Sequence, residues 1–265
     1  MRIMSYNTLF GGHDGSDNRR YEAQIKLVNE VKPDVLLVQE AKDYQQAGMK
    51  LLLAMEVAFG MRGFLAQAPH TGQNTGIFIR TPIKPLSFEA DAVHFHHAAA
   101  IVTLALPDVS KPVTVISVHL CPFGPHVRMR EANYLTNYAD DAAFTLLAGD
   151  FNSVSPHDPE PLGLEDLPAR FRARYTTPGA GQADRNVMQA FYHAGFVDIG
   201  HRLGKHTNPT VPTVGYVGTE FVPFRSDYLL ATKSLASHAT DYDVIVNALS
   251  NKASDHYPIV ADFNI

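Results

Sequence analysis

The chain has 265 residues, of which 45% are hydrophobic, and its 22 basic and 27 acidic residues give a formal charge of −5. Proteins that bind polyanions usually carry a basic excess or a basic run, and the dense basic segment 170–174 is equally well explained as a solvated surface. The charge therefore argues mildly against a nucleic-acid partner, and no apolar stretch approaches the roughly 18 residues that span a bilayer.

The length and the cysteine content limit the organisation of the chain. No linker, repeat or low-complexity tract divides the sequence, so we expect one domain over residues 1–265. Cys121 is the single cysteine, which excludes an internal disulfide and suits a reducing cytoplasm. The first strand begins almost at the first residue, so we expect no secretion signal. No feature of the sequence indicates an obligate protein partner.

The first half of the chain shows alternating strand and helix patterns. Residues 35–38 form a continuous apolar run, which is typical of a strand covered on both faces. Apolar residues at helical spacing predict a helix over 21–31 that stops before Pro33. The other elements predicted here are strands at 3–6, 76–80, 101–106 and 113–118, a loop at 11–18 and a helix at 45–59.

The second half continues the pattern. A helix is predicted at 128–140, and strands are predicted at 144–148, 228–231, 244–246 and 259–263. The region 155–181 is rich in proline and glycine and predicts a long surface loop of the kind that often carries function. Together the elements predict an α/β fold, a four-layer sandwich in which two mixed or antiparallel sheets pack face to face with helices outside.

Short polar motifs follow directly after these apolar runs. Asp150 and Asn152 stand in Gly-Asp-Phe-Asn, and Asp255 and His256 stand in Ser-Asp-His. The other motifs contain Asn7, Glu40, His119 and Asp227. Four of these residues are carboxylates, which would repel one another in one place unless a divalent cation lay among them. The pattern therefore predicts a metal-assisted hydrolase.

Each of these residues also has a purely structural explanation. Asn7, Asp150 and Asn152 suit turns, because short polar side chains bond their own backbone. Glu40 suits the cap of the following helix, and His119 suits a satisfied interior position. In the same way, Asp227 suits a strand end and Asp255 suits a turn ahead of Pro258. Taken one at a time, the residues leave both explanations open.

Taken in order, the six motifs resemble those of the endonuclease/exonuclease/phosphatase superfamily, with the deoxyribonuclease I-like fold, over essentially the whole chain. The segment 76–80 is also similar to the strand that precedes the first hairpin in that family. The resemblance implies hydrolysis of a phosphate ester by in-line attack of water. It also implies Mg²⁺ or Mn²⁺ as cofactor, since hard oxygen ligands suit these ions better than zinc.

The resemblance also implies a role for each residue. Glu40 is the expected main metal ligand, with Asn7 and Asp255 in or near the coordination shell. Asp150 is expected to orient and deprotonate the water, Asn152 to hold Asp150 or a phosphate oxygen, and His119 to contact the phosphate. His256, positioned by Asp227, is expected to hydrogen-bond the phosphate or share in activating the water. Arg128 or Arg130 is expected to approach the phosphate from the following helix.

Three features depart from the family pattern. Glu131 stands where a glutamine is expected, and Arg225 and Ser226 precede Asp227 where an apolar residue is usual. The histidines His94, His96 and His97 have no family counterpart, and they suit a surface hairpin better than a pocket wall or a second metal site. His119 in Val-His-Leu resembles the branch of deoxyribonuclease I, neutral sphingomyelinases and related phosphodiesterases more than the abasic-site endonucleases.

The sequence leaves the substrate open. The acidic balance favours a phosphatase or phosphodiesterase acting on a small or lipid phosphate over an endonuclease or exonuclease cleaving DNA or RNA. A catalytically inactive binding protein on the same fold is a third alternative, but it would be expected to lose Glu40 or Asp150, and both are present.

Overall fold

A computed structural model of the chain describes residues 1–177 and 179–265. Its strands are β1 (Arg2–Asn7), β2 (Val35–Gln39), β3 (Arg62–Ala66), β4 (Thr75–Ile79), β5 (Lys84–Asp91), β6 (Ala99–Ala105), β7 (Val113–His119), β8 (Phe144–Asp150), β9 (Val197–Asp198), β10 (Asp227–Ala231), β11 (Ala239–Val244) and β12 (Ile259–Phe263). Its α-helices are α1 (Arg19–Val31), α2 (Gln46–Phe59), α3 (Pro125–Leu135), α4 (Ala169–Arg172), α5 (Asn186–Ala194), α6 (Ile199–Arg202), α7 (Lys233–Ala236) and α8 (Ser250–Ala253).

The strands form two six-stranded sheets. The first has the order β11-β12-β1-β2-β4-β3, and the second has the order β5-β6-β7-β8-β10-β9. In each sheet one central pair is parallel, β1 with β2 and β7 with β8, and the other pairs are antiparallel. The prediction of mixed sheets is therefore confirmed.

Alternation along the strands builds the layers, because successive side chains point to opposite faces of a sheet. One set of apolar residues packs between the sheets and includes Ile3, Leu37, Ile77, Val102, Val115 and Leu146. On the outer face of the first sheet, Met4 and Leu36 pack against α1 and α2. On the outer face of the second sheet, Ile116 and Leu147 pack against α3 and α5. The result is the predicted four-layer sandwich.

Some predicted elements need correction. The strand expected at 244–246 is β11, which runs from Ala239 to Val244. Exposed Asp241 and Asp243 alternate with buried Tyr242 and Val244, so the first part of the strand shows no apolar run and was missed. The helix expected at 128–140 is α3 followed by a 3₁₀ turn over Thr136–Tyr138. Within the region expected to be a loop, 155–181, lie α4 and a 3₁₀ turn over Leu164–Asp166, and residue 178 lies outside the described part. Strands β3, β5 and β9 and helix α5 were not predicted.

The register of the strands collects the polar motifs at one end of the sandwich. His119 and Asp227 are both paired with Asp150, across the parallel β7–β8 pair and the antiparallel β8–β10 pair. In the other sheet, Asn7 is paired with Gln39, which delivers Glu40 immediately after β2. None of the helices in the described ranges is long and apolar enough to cross a membrane.

Candidate active site

A cavity of about 450 Å³ lies at this end of the sandwich. Six of the residues predicted from the sequence line it: Glu40, His119, Asp150, Asn152, Asp255 and His256. Two more lie directly behind the lining, since Asn7 bonds to Glu40 and Asp150, and Asp227 bonds to His256. The fold thus brings eight of the ten predicted site residues together, from six separate stretches of the chain.

Asp150 is at the centre of this group. Its Oδ1 accepts hydrogen bonds from the Ser226 hydroxyl at 2.6 Å and from the Asn152 backbone N–H at 2.8 Å, and its Oδ2 accepts one from Asn7 Nδ2 at 3.2 Å. Burial would raise the pKa of Asp150, but the charge of His256 and the hydrogen bonds from Ser226 and the Asn152 backbone lower it below its usual value. Asp150 is therefore a carboxylate at neutral pH although it is only 2% exposed.

The backbone around Asp150 is specialised for this placement. Gly149 has φ +148°, and a Cβ there would lie 1.8 Å from the Val118 carbonyl oxygen on the neighbouring strand, so a larger residue is excluded. Asn152 has φ +48°, in the left-handed region that asparagine tolerates better than most residues. Its side-chain amide donates to the Leu120 carbonyl oxygen at 2.9 Å, which holds the loop after β8 against the end of β7.

His256 lies between two carboxylates. Its Nδ1 is 2.9 Å from Asp227 Oδ2, and its Nε2 is 3.7 Å from Asp150 Oδ2. Burial disfavours the charged imidazole, yet the two carboxylates outweigh burial and hold the pKa of His256 well above its usual value. Burial raises the pKa of Asp227 to about 6. At neutral pH the pair is therefore an imidazolium bonded to a carboxylate.

The residues around Glu40 fit a hard divalent cation. Glu40 accepts hydrogen bonds from Asn7 Nδ2 at 3.3 Å and from the Phe10 N–H at 3.1 Å. Even so, burial and the charge of Asp255 raise the pKa of Glu40 to about 7, and burial likewise raises the pKa of Asp255. No lysine or arginine of residues 1–177 or 179–265 pairs with either carboxylate. Oxygen donors with uncompensated negative charge suit Mg²⁺ or Mn²⁺.

A second set of ligand atoms is also close together. One atom each of Asp150, Asp227 and His256 lies within 4.8 Å of the others. The positive charge of the imidazolium already compensates one of the two carboxylates here, whereas no cationic side chain among the described residues is bonded to Glu40 or Asp255. The electrostatic need for a cation is therefore greater beside Glu40 than at this second set.

His119 completes the group from the end of β7. Its Nε2 is 3.3 Å from Asp150 Oδ2. Burial lowers the pKa of His119 to about 4, which makes the ring neutral at neutral pH. His97 stacks on the His119 ring with a centroid distance of 4.3 Å and an interplanar angle of 26°. This stacking leaves the imidazole little freedom to turn away from Asp150.

Neither arginine that was expected to approach the phosphate reaches the cavity. Arg128 is 1% exposed, and its guanidinium donates to one hydroxyl and two backbone carbonyl oxygens beneath α3. Arg130 reaches the His94 carbonyl oxygen at the surface. Arg174 lines the cavity instead and pairs there with Glu220. The geometry therefore offers Arg174 to a substrate, and neither helix arginine.

The histidine cluster divides between the surface and the cavity. His94 bonds to Asp91 at 2.7 Å and contacts the Tyr134 ring, away from the cavity. His96 and His97 both line the cavity. In the part of the chain that the structure describes, the three imidazoles do not form a metal-ligand group. The expectation of a surface hairpin is therefore right for His94 and wrong for the other two.

The remaining departures from the family pattern have structural reasons. Both carboxylate oxygens of Glu131 accept backbone N–H groups, from His96 at 2.7 Å and from Cys121 at 2.8 Å, which a glutamine with its single oxygen would not do. Ser226 donates to Asp150, and its position beside Asp227 was the one feature of the sequence that could have indicated this role. Thr210 also supports the site, because its hydroxyl accepts the Asp227 N–H at 3.1 Å. No feature of the sequence indicated this role.

Arg225 is a buried support for this end of β10. It is 3% exposed, and its guanidinium pairs with Asp158 at 2.9 Å and with Asp198 at 2.7 Å. We expect Arg225→Met to lower the free energy of unfolding by about 3–5 kcal/mol, because two buried carboxylates lose their partner. Urea denaturation measures this, with the exposed Arg202→Met as a control that changes stability by less than about 0.5 kcal/mol. A loss below about 1 kcal/mol for Arg225→Met would contradict this role.

The comparison of the sequence with protein families decides the relationship. The sequence model of the Endonuclease/Exonuclease/phosphatase family matches residues 4–256. The chain belongs to this family. Members of the Endonuclease/Exonuclease/phosphatase family are hydrolytic phosphoesterases. None of the curated proteins matches the sequence significantly.

Solved structures agree with the family fold. An AP endonuclease from Archaeoglobus fulgidus is similar with a TM-score of 0.71 and 20% identity, over 100% of both chains. The 3′ phosphatase NExo from Neisseria, bound to a product DNA hairpin, has a TM-score of 0.68 and 21% identity over 100% of both chains. TDP2 from D. rerio, in complex with a single-strand DNA product, has a TM-score of 0.69 and 19% identity over 100% of this chain and 99% of that one. At these identities the likeness establishes the Endonuclease/Exonuclease/phosphatase fold alone.

Proposed function

We propose that this protein is a divalent-metal-dependent phosphoesterase that hydrolyses a small or lipid phosphate ester by in-line attack of water. The observation that carries the proposal is a buried aspartate, Asp150, that stays ionised between two histidines at the floor of a cavity. Such a carboxylate is charged at neutral pH, so it can orient the attacking water and accept its proton, and a cationic imidazole beside it is a suitable partner for phosphate charge.

In this proposal Glu40 and Asp255 would hold Mg²⁺ or Mn²⁺, and Asn7 lies beside the coordination shell, because its Nδ2 faces the carboxylates and its Oδ1 already accepts the Leu9 N–H at 3.1 Å. The bound ion supplies charge neutralisation at the phosphate and the leaving oxygen, worth several kcal/mol of barrier. Asn7 Nδ2 donates to both Glu40 and Asp150, so it also ties the metal-binding carboxylate to the base. The oxygen-donor chemistry of these residues is the basis for preferring these ions over zinc.

The side chains of the site carry out proton transfer and bind the phosphate. Asp150 accepts the proton of the attacking water at Oδ2, the oxygen that faces the Nε2 atoms of His119 and His256, whereas Oδ1 faces Ser226 and the Asn152 backbone. The Nε2–H of His256 lies beyond hydrogen-bond distance of Asp150, which leaves this proton free for a phosphate oxygen. Asp227 holds the ring through Nδ1. His119 contacts the phosphate as a neutral imidazole, and Asn152 positions Asp150.

The charge of the cavity supports a small substrate. Arg174 is the one lysine or arginine lining it among the described residues, and Glu220 already pairs with this side chain. A polynucleotide would need several cations along its backbone. The second candidate is a nuclease, which is favoured by the DNA products bound in the NExo and TDP2 structures.

Two assays run side by side separate these candidates. Supercoiled plasmid at low salt and a panel of small phosphomonoesters and diesters are each incubated with Mg²⁺, with Mn²⁺ and with EDTA. We expect metal-dependent hydrolysis of small esters with little nicking of the plasmid. Rapid nicking that is absent in Asp150→Ala would establish the nuclease instead. No hydrolysis of any ester by protein that binds Mn²⁺ would indicate a binding protein.

Glu40→Gln tests the metal site. We expect this variant to bind Mn²⁺ at least about tenfold more weakly, because one anionic ligand becomes a neutral amide. Calorimetric titration with Mn²⁺ measures the affinity without any need for turnover. Glu30→Gln, at an exposed position of α1, is the matched control and should bind Mn²⁺ like the wild type. An unchanged affinity in Glu40→Gln would remove Glu40 from the coordination shell.

A further inference from the structure

One wall of the cavity has no task in the chemistry proposed above. Four side chains form it, and we refer to them as the recognition wall: Gln73, His96, His97 and Phe123. Gln73 lies in the connection between β3 and β4, the two histidines lie between β5 and β6, and Phe123 follows β7. These connections approach one another from both sheets beside His119, which the His97 ring stacks upon.

The recognition wall contains polar atoms without partners. Thr71 Oγ1 lies 2.9 Å from His97 Nδ1 and accepts the Gln73 N–H at 3.2 Å, which joins the two residues. The opposite ring nitrogen, His97 Nε2, is buried, as is Gln73 Oε1, and neither has a partner within the described ranges. Burial lowers the pKa of His97 to about 2, so its ring is neutral. Unpaired buried polar atoms are costly, and a ligand that bonds them would gain that free energy.

The recognition wall also presents two aromatic faces. The rings of His96 and Phe123 meet edge to face, with a centroid distance of 5.3 Å and an interplanar angle of 82°. Phe123 is 66% exposed, although it borders a cavity at the centre of the molecule's polar site. Two nearly perpendicular rings of this kind suit a flat ligand ring, which can stack on one of them while its edge contacts the face of the other.

We propose that the recognition wall binds the nucleobase of a mononucleotide substrate whose phosphate lies beside Asp150 and His256. This inference rests on the proposed phosphoesterase function. A base has a flat face for His96 and Phe123, and its edge carries donors and acceptors of the kind that a glutamine amide and an imidazole bond. A single nucleotide also agrees with the shortage of cations in the cavity, where a chain of phosphates would find only Arg174.

Other small phosphates fit the recognition wall less well. A trimethylammonium headgroup would contact the aromatic faces but would leave Gln73 Oε1 and His97 Nε2 unpaired, because it has no hydrogen-bonding groups. A sugar phosphate could bond these atoms through hydroxyl groups but has no flat ring to stack on Phe123. The nucleobase is the group that uses both properties of the wall.

The test compares ligands that share a phosphate. AMP, GMP, CMP, UMP, ribose 5-phosphate and phosphocholine are titrated by calorimetry into Asp150→Asn protein with Mn²⁺, a background chosen so that ligands are not consumed. We expect at least one nucleoside monophosphate to bind about tenfold or more tightly than ribose 5-phosphate. Adding Phe123→Ala or Gln73→Leu should reduce that preference about tenfold each, since base stacking alone is worth at least severalfold. Adding Phe88→Ala, an exposed phenylalanine on β5, should leave it unchanged.

Three results would overturn the inference. These are equal affinities for ribose 5-phosphate and all four nucleotides, tightest binding of phosphocholine, or an equal loss of every ligand in Phe123→Ala and Gln73→Leu. Wild-type turnover of p-nitrophenyl phosphate, a monoester like the nucleotides but without a base, tests the proposed phosphoesterase function separately. Turnover without any base preference would therefore refute the recognition wall alone.

Discussion

Replacing Asp150 by asparagine should lower the turnover of a phosphate ester by at least about 10²-fold, the lower end for a general acid–base group. Asp150 is the residue on which the other groups converge, with hydrogen bonds from Asn7, Asn152 and Ser226. Asparagine keeps the size of the side chain but removes the negative charge and the proton-accepting oxygen. The neighbours of Asp150 all donate hydrogen bonds, and the asparagine amide has only one oxygen to accept them. Its NH₂ group therefore faces other donors in either orientation of the amide, and neither orientation restores the function.

The expected loss in Asp150→Asn is one of chemistry and not of folding. Asp166→Asn, at an exposed position in the long connection after β8, is the matched control and should keep wild-type turnover. Circular dichroism and urea denaturation of both variants check that the fold persists. Turnover within about threefold of the wild type in folded Asp150→Asn protein would exclude Asp150 as the base.

Replacing His256 by alanine should have a comparable effect, a loss of at least about 10²-fold in turnover. Two carboxylates raise the pKa of His256 above its usual value, so the ring is cationic at neutral pH and is available to a negatively charged phosphate. Removing the ring also leaves Asp227 buried without its partner at 2.9 Å. Asp227→Asn should cost less than His256→Ala, because the ring and its Nε2–H remain in place.

A double-mutant comparison separates the two residues. If Asp227 acts through His256, the variant with both substitutions should be no slower than His256→Ala by more than about threefold. His193→Ala, at an exposed position, provides a control for the loss of an imidazole elsewhere. Independent and fully additive losses would contradict the pairing, and wild-type turnover in His256→Ala would remove the imidazolium from the mechanism.

The position of a strand within its sheet explains which strands could be predicted. All eight inner strands were predicted, and the clearest signal among them is the continuous apolar run at 35–38. The edge strands β3, β5, β9 and β11 were missed or misplaced. Strand β5 is exposed at most of its positions, and β11 carries aspartates on its outer side, so neither shows an apolar run. Edge strands with polar outer faces are therefore the strands that hydrophobic patterns are least able to predict.

The site divides in a similar way. Residues such as Asp150 and His256 were accessible from the sequence because each stands in a recognisable motif beside an inner strand, Asp150 at the last residue of β8 and His256 shortly before β12. Ser226, Arg174 and His97 were not identified, because their contacts with Asp150, Glu220 and His119 join segments far apart in the chain. The buried position of Arg128 was also inaccessible, since its partners are a hydroxyl and two carbonyl oxygens and not a carboxylate.

Hydrolysis of p-nitrophenyl phosphate and of bis(p-nitrophenyl) phosphate, a monoester and a diester, tests the central claim most directly. Wild-type protein, Asp150→Asn and Asp166→Asn are each assayed with Mg²⁺, with Mn²⁺ and with EDTA. The metal-assisted phosphoesterase predicts release of p-nitrophenol by the wild type and Asp166→Asn with either metal, and at least about 10²-fold slower release with EDTA or in Asp150→Asn. Equal rates with and without metal, or equal rates in the wild type and Asp150→Asn, would contradict it.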